Sequence, residues 1–160
     1  MVNAYIGLGS NLDNPQGHVR QALEELKKLP QSQLLLASKL YLSKPVGPQD
    51  QDDFINAVVI LATTLEPLAL LDELQAIEHQ HQRVRARHWG PRTLDLDLLL
   101  FGDQSIQHPR LTVPHAELSQ RDFVIGPLLE LCPDLALPNG TMIQELLKKC
   151  PIDGLICLDH

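Results

Sequence analysis

Asp95 and Asp97 stand two residues apart in the run Leu94-Asp95-Leu96-Asp97-Leu98-Leu99, where charge interrupts an apolar stretch. On a strand, side chains alternate faces, so both carboxylates project to one side, roughly 6.5–7 Å apart along the backbone. Two anions so close repel each other and resist desolvation unless a cation joins them. A hard divalent ion with oxygen ligands, Mg²⁺ above all, resolves that conflict. Just upstream stand Arg83, Arg85, Arg87 and Arg92, whose planar forks suit phosphate oxygens. Carboxylates fit to bind metal, beside arginines fit to bind phosphate, point to chemistry on a nucleotide triphosphate. The competing readings are solubilising charges on an edge strand and a solvated arginine loop. Edge charges, however, more naturally flank such a strand than interrupt Leu94, Leu96 and Leu98.

Phe54 and Asn56 share a strand face by the same period of two. With only six aromatic residues in the chain, Phe54 beside a polar loop suggests a ring-stacking platform. Asn56 offers one acceptor and two donors, a complement to the edge of an amino-oxo heterocycle. A core phenylalanine with a turn-bracing asparagine is the alternative. Gln75 and Glu78, at i and i+3 on a helix, read first as a solvated face. His115 follows Pro114, and its readings are nucleotide contact or loop bracing. His18, His79, His81 and His108 read as surface residues. Gly7-Leu8-Gly9-Ser10 is a weak phosphate-loop signal, and the P-loop pattern G-x-x-x-x-G-K-[ST] does not occur.

The elements that must position these groups follow from periodicity. Alternating apolar residues over 2–8 predict a first strand, broken at Gly7 to Asn11. Asn14-Pro15 is an N-cap and first-turn pair, with Val19, Leu23 and Leu26 on one helical face and Pro30 beyond its end. Residues 34–42 and 54–63 predict two more strands, joined by a polar loop long enough to suggest function. Pro67 opens a second helix running toward His81, and a polar loop over 82–92 leads into the Asp-bearing strand. The rest reads as proline-rich connections and a last helix over 142–149. Strand–helix–strand, twice over, predicts a ferredoxin-like α+β fold: an antiparallel sheet covered by helices in a three-layered αβα arrangement.

At 160 residues the chain reads as one domain, 1–160. A net charge of −7 disfavours nucleic acid or an acidic membrane as partner. Six of the seven arginines nonetheless fall between Arg83 and Arg121. Cys132, Cys150 and Cys157 lack metal spacing and read as cytosolic thiols. With neither a signal peptide nor a long apolar span in view, a soluble, cytoplasmic protein is expected.

The stretch from His88 to Leu99 resembles the defining motif of the 6-hydroxymethyl-7,8-dihydropterin pyrophosphokinases, enzymes of folate synthesis. The resemblance extends over Gly9-Ser10-Asn11, Gly47-Pro48-Gln49-Asp50-Gln51, Phe54-Ile55-Asn56, Arg83-Val84-Arg85, Leu111-Thr112-Val113-Pro114-His115 and Arg121-Asp122-Phe123. It implies transfer of pyrophosphate from ATP to the hydroxymethyl group of the dihydropterin, with AMP released, by a monomer. It implies that Asp95 and Asp97 hold two Mg²⁺ ions, with Arg83 and Arg92 serving the transferring group. Phe54 and Phe123 would then sandwich the pterin, and Asn56 with Ser43, Lys44, Pro45 and Val46 would bond its edge. On the ATP side the resemblance places Gln75, Glu78, Arg85, Trp89, Leu98, Arg110, Thr112, His115 and Arg121. For the general base, Asp97 and a metal-activated substrate hydroxyl both remain open. Ser43-Lys44 and Ala116 depart from residues common in the family, as does Phe54, which lacks the more usual tyrosine hydroxyl. A nucleotide-sensing module and a two-metal nucleotidyl transferase are the rival classes.

The polar arginine segment has little with which to dock on a core, so the sequence predicts a mobile loop that a bound triphosphate orders as a lid. Each charge-assisted hydrogen bond it gains contributes about 1.5–3 kcal/mol. Amide exchange across residues 83–92 should therefore slow when a non-hydrolysable ATP analogue and pterin are added together. Unchanged protection would refute the lid.

Overall fold

Alternation along the strands sorts this chain into two apolar layers on opposite faces of one sheet. The computed structural model describes residues 1–11, 14–43, 53–82, 93–116, 118–150 and 155–158. Its strands are β1 (Val2–Ser10), β2 (Ser32–Ala37), β3 (Leu40–Ser43), β4 (Phe54–Thr63), β5 (Asp95–Phe101) and β8 (Ile156–Leu158), with a small hairpin of β6 (Ile106–His108) and β7 (Leu111–Val113). The helices are α1 (Pro15–Lys27), α2 (Pro67–Gln82), α3 (Asp122–Leu131) and α4 (Ile143–Lys149). The main sheet runs β5-β1-β4-β3-β8, with β2 also on β4, and every pairing in it is antiparallel. Treating β2 and β3 as one interrupted strand, the order is that of the expected ferredoxin-like α+β fold.

Leu8 pairs with Leu96 and Ile6 with Leu98, and these side chains pack with Val19, Ala22 and Leu26 of α1 and Leu70, Leu71, Leu74 and Ile77 of α2. The other face carries Tyr5, Val58, Ile60, Leu99 and Leu100 under Val124, Ile125 and Leu128 of α3 and Ile143 and Leu146 of α4. That is the three-layered arrangement. Each buried leucine in it contributes about 1.5–3 kcal/mol. A register shift where Tyr5 pairs with Leu100 but Ile6 with Leu98 turns both Leu99 and Leu100 toward α3 and α4.

Local chemistry explains the helix start. Asn14 sits at φ 66°, and its side-chain oxygen accepts from the Gly17 N–H at 3.4 Å, capping α1. A Cβ on Gly17 would lie 2.3 Å from the Asn14 carboxamide, so the cap requires glycine there.

Several expectations need correction. The first strand does not break at Gly7 but continues to Ser10, because both glycines are paired on each side. The second strand splits at Ser38, whose hydroxyl accepts from the Val58 N–H at 2.9 Å and replaces a ladder bond. The proline-rich tail contains α3, hidden by the internal Pro127 but supported by five consecutive buried residues. The last helix starts at Ile143, one residue later than expected, with Met142 as its cap.

His81 is not a surface residue. Its side chain is 3% exposed, with Nε2 at 2.6 Å from Glu25 Oε1 and Nδ1 at 2.7 Å from His18 Nδ1. The rings meet edge to face, at 61°. This triad ties α1 to α2 where a purely apolar contact would leave Glu25 poorly solvated. His81→Ala should lower stability by about 1–3 kcal/mol, since it removes a hydrogen-bond partner of Glu25 and one of His18. Urea unfolding measures this, and a loss below about 0.5 kcal/mol would mean that the triad is dispensable.

Candidate active site

Period two on β5 leaves Asp95 and Asp97 half-buried while Leu96 and Leu98 are buried on the other face. Across the ladder Asp95 pairs with Gly9 and Asp97 with Gly7. Both glycines are half-exposed, although β1 is flanked by a strand on each side. The sheet is therefore bare backbone beside the two carboxylates. Gly9 pairs on its other side with Asn56, and Asn56 with Tyr41. Asp95, Gly9, Asn56 and Tyr41 thus form one cross-strand row, with Asp95 and Asn56 about 10 Å apart at two strand spacings.

Asn56 is buried, and its Nδ2 donates to the buried Ser43 hydroxyl at 2.7 Å. The bond orients the carboxamide so that Oδ1 stands over Gly9, 3.3 Å from where a Cβ there would lie. Phe54, half-buried, opens β4 opposite Ser43 on the same face. From above, the start of α3 brings Arg121 and Phe123. The Arg121 guanidinium lies 5.4 Å from the centre of the Phe123 ring, and its Nη1 is 3.9 Å from Asp97 Oδ2. At that separation the ion pair is weak.

A second group gathers at the outer edge of β5. Glu78 accepts from the Leu96 N–H at 2.7 Å, so it is a partner of the edge strand and not merely a solvated residue. Arg110 donates to Asp72 at 2.6 Å and to Gln75 at 3.2 Å. Asp72, Gln75 and Glu78 therefore present one stripe of α2 to the edge and the β6–β7 turn. Thr112 is exposed on β7. The His115 N–H donates to the Leu99 carbonyl at 2.9 Å, which fits loop bracing and leaves its ring half-buried. Leu98 points away from the carboxylates into the α1–α2 layer, so only its backbone remains for a nucleotide.

Lys44, Pro45, Val46, Arg83, Arg85, Trp89 and Arg92 lie outside the described residues. Sequence reasoning singled out Gly7 and Gly9 only as a weak phosphate-loop signal, whereas they lie in a strand as a G-x-G whose period matches the D-x-D opposite; it passed over Tyr41 and Glu130. Burial pushes the Cys132 and Cys150 thiols above the usual thiol range, so neither of these two is activated.

Donor chemistry at the carboxylates suits a hard cation: oxygen ligands only, partial exposure, and no side chain on the strand beside them. Among the described residues no group of three His, Cys, Asp or Glu converges on a metal site, so Asp95 and Asp97 stand there as a pair of carboxylates. No helix among them is long and apolar enough to cross a membrane.

Residues 5–133 match the family described as 7,8-dihydro-6-hydroxymethylpterin-pyrophosphokinase. A Haemophilus influenzae relative named 2-amino-4-hydroxy-6-hydroxymethyldihydropteridine pyrophosphokinase is 52% identical over 149 residues, 93% of each chain. A Pseudomonas aeruginosa relative of the same name is 52% identical over 151 residues, 94% of this chain and 93% of its own. Crystal structures of Plasmodium falciparum HPPK-DHPS share the fold at 15% identity. One has a TM-score of 0.70 and another 0.74. They match 93% and 92% of this chain, which spans only 43% and 45% of theirs.

Asp95→Ala and Asp97→Ala should each remove Mg²⁺ binding while leaving thermal stability equal or higher without metal, because like-charge repulsion is relieved. Calorimetric Mg²⁺ titration beside thermal unfolding checks both halves. Unchanged Mg²⁺ affinity in either variant would exclude that carboxylate as a ligand.

Proposed function

This chain belongs to the 7,8-dihydro-6-hydroxymethylpterin-pyrophosphokinase family, and we infer that it transfers pyrophosphate from ATP to 6-hydroxymethyl-7,8-dihydropterin in folate biosynthesis. The observation that carries the reading is the row from Asp95 through Gly9 to Asn56: carboxylates and a held carboxamide lie on one face of the sheet, with bare glycine between them.

In this reading the pterin ring lies between Phe54 and Phe123. Asn56 reads its edge, with Oδ1 accepting from ring N–H groups while Ser43 holds the amide in that orientation. The substrate hydroxyl attacks the β-phosphorus of ATP. A new C–O–P bond forms as the hydroxyl proton is released to Asp97 or to solvent, the bond from the β-phosphorus to the bridging oxygen breaks, and AMP departs with that oxygen. Asp95 and Asp97 would hold two Mg²⁺ ions. When bound, Mg²⁺ supplies charge neutralisation and orientation of the phosphate oxygens. Arg121, already beside Asp97, adds a guanidinium on the same side, and Arg83 and Arg92 serve the transferring group. Gln75, Glu78, Arg110, Thr112, His115 and the Leu98 backbone form the nucleoside side along the β5 edge, with Arg85 and Trp89 contributing from the arginine segment. Lys44, Pro45 and Val46 close the pterin side. The enzyme acts as a cytoplasmic monomer.

Incubation with ATP and the hydroxymethyl-dihydropterin should yield AMP. Formation of ADP, or no pterin-dependent turnover, would overturn the assignment. Phe54→Ala and Phe123→Ala should weaken pterin binding by about 1–3 kcal/mol, judged from base–aromatic stacking, with ATP affinity little changed. Equal losses for both ligands in calorimetry would make the rings core residues.

A further inference from the structure

Helix α3 is anchored at both ends by charged groups. Its ten residues span about 15 Å at 1.5 Å per residue, close to the three strand spacings from β5 to β3, about 14 Å. At the first end Arg121 reaches Asp97 at 3.9 Å. At the far end Glu130 accepts from the Lys39 N–H, at 3.2 Å to each carboxylate oxygen, and from the Tyr41 hydroxyl. Burial, and then the Glu130 carboxylate, push the Tyr41 phenol well above its ordinary range, so it stays a donor throughout physiological pH.

The two anchors are unequal. The Arg121–Asp97 contact is long, and Asp97 is the residue that a cation would engage. The Glu130 anchor makes hydrogen bonds to a fixed strand, and Tyr41 is the direct ladder partner of Asn56. Helix α3 carries Phe123, and the strand under the anchor carries Ser43, which orients Asn56.

We propose that Tyr41 and Glu130 are positioning residues for the pterin: their hydrogen bond pins the far end of α3 to β3 and so holds Phe123 at its distance from Asn56. The proposal rests on the function inferred above. With the anchor intact, the ring slot keeps its width while Arg121 exchanges Asp97 for other partners. Without it, α3 can shift along the sheet and the slot loosens; Arg121 at its start moves with it, but the ATP-side groups on α2 and the β6–β7 turn are untouched.

Tyr41→Phe keeps the ring and removes only the hydroxyl, and Glu130→Gln keeps the shape and removes the charge. Binding of dihydropterin and of a non-hydrolysable ATP analogue, with steady-state kinetics and thermal unfolding, is measured on both variants and the unaltered enzyme. The pterin Kd and KM should rise about tenfold in Tyr41→Phe, equivalent to about 1.4 kcal/mol. ATP-analogue affinity and kcat at saturating pterin should stay within about twofold, and the losses in pterin affinity should be less than additive in the double variant, because the two residues share the Tyr41–Glu130 bond while Glu130 also accepts from the Lys39 N–H. Unchanged pterin affinity in both variants overturns the proposal. So does a parallel loss for both ligands tracking a fall in Tm, which marks a merely structural bond. An unaltered enzyme that binds no pterin would instead overturn the functional reading beneath it.

Discussion

Along β5, the alternation of side chains ties the paired carboxylates and the core to one another. Leu96 and Leu98 are buried among α1 and α2, and that burial forces Asp95 and Asp97 to the opposite face at adjacent positions of one strand. A slip of one residue would bury both carboxylates and expose the leucines, a cost that no register could survive. The apolar layer thus fixes the side of the sheet on which the charged pair lies. The register shift between Tyr5 and Ile6 comes after the pair, so it redirects Leu99 and Leu100 into the α3–α4 layer without disturbing the aspartates.

What the carboxylates face is set by β1. Gly7 and Gly9 leave the central strand bare at this end, where the rest of the sheet face is covered by Val124, Ile125 and Leu128. The same glycine that faces Asp95 gives room to Asn56, so one small residue serves the charged end and the polar end of the strip. Two strand spacings separate the carboxylates from the carboxamide, and the start of α3 brings the Phe123 ring and the Arg121 guanidinium above them.

Polar interactions elsewhere serve to fix backbone. Ser38 substitutes for a ladder bond on β4, Glu78 satisfies an edge N–H of β5, and Glu130 does the same for Lys39. Each is a side chain from a distant element meeting an orphaned backbone group. Two of these contacts fall on β5 and beside β3, the strands that carry Asp95, Asp97 and Ser43.

The sequence alone determined the metal-fit carboxylates, the face shared by Phe54 and Asn56, the βαββαβ order and the start of α1, because each follows from spacing within a few residues. Its motif spacing also carried the resemblance to the pyrophosphokinase family. The burial of His81 and the extension of β1 through two glycines were decided only by tertiary structure. So were the helix over Pro127 and the Tyr41–Glu130 bond. In each case the deciding partner is far along the chain: Glu25 and His18 for His81, Asp95 and Asn56 for Gly9, the α4 residues for α3. Local propensity reads glycine as a break, proline as an end and histidine as surface. Paired strands and packed layers override all three, since the energy of a satisfied ladder or a buried apolar face exceeds the fraction of a kcal/mol to few kcal/mol by which propensity opposes it.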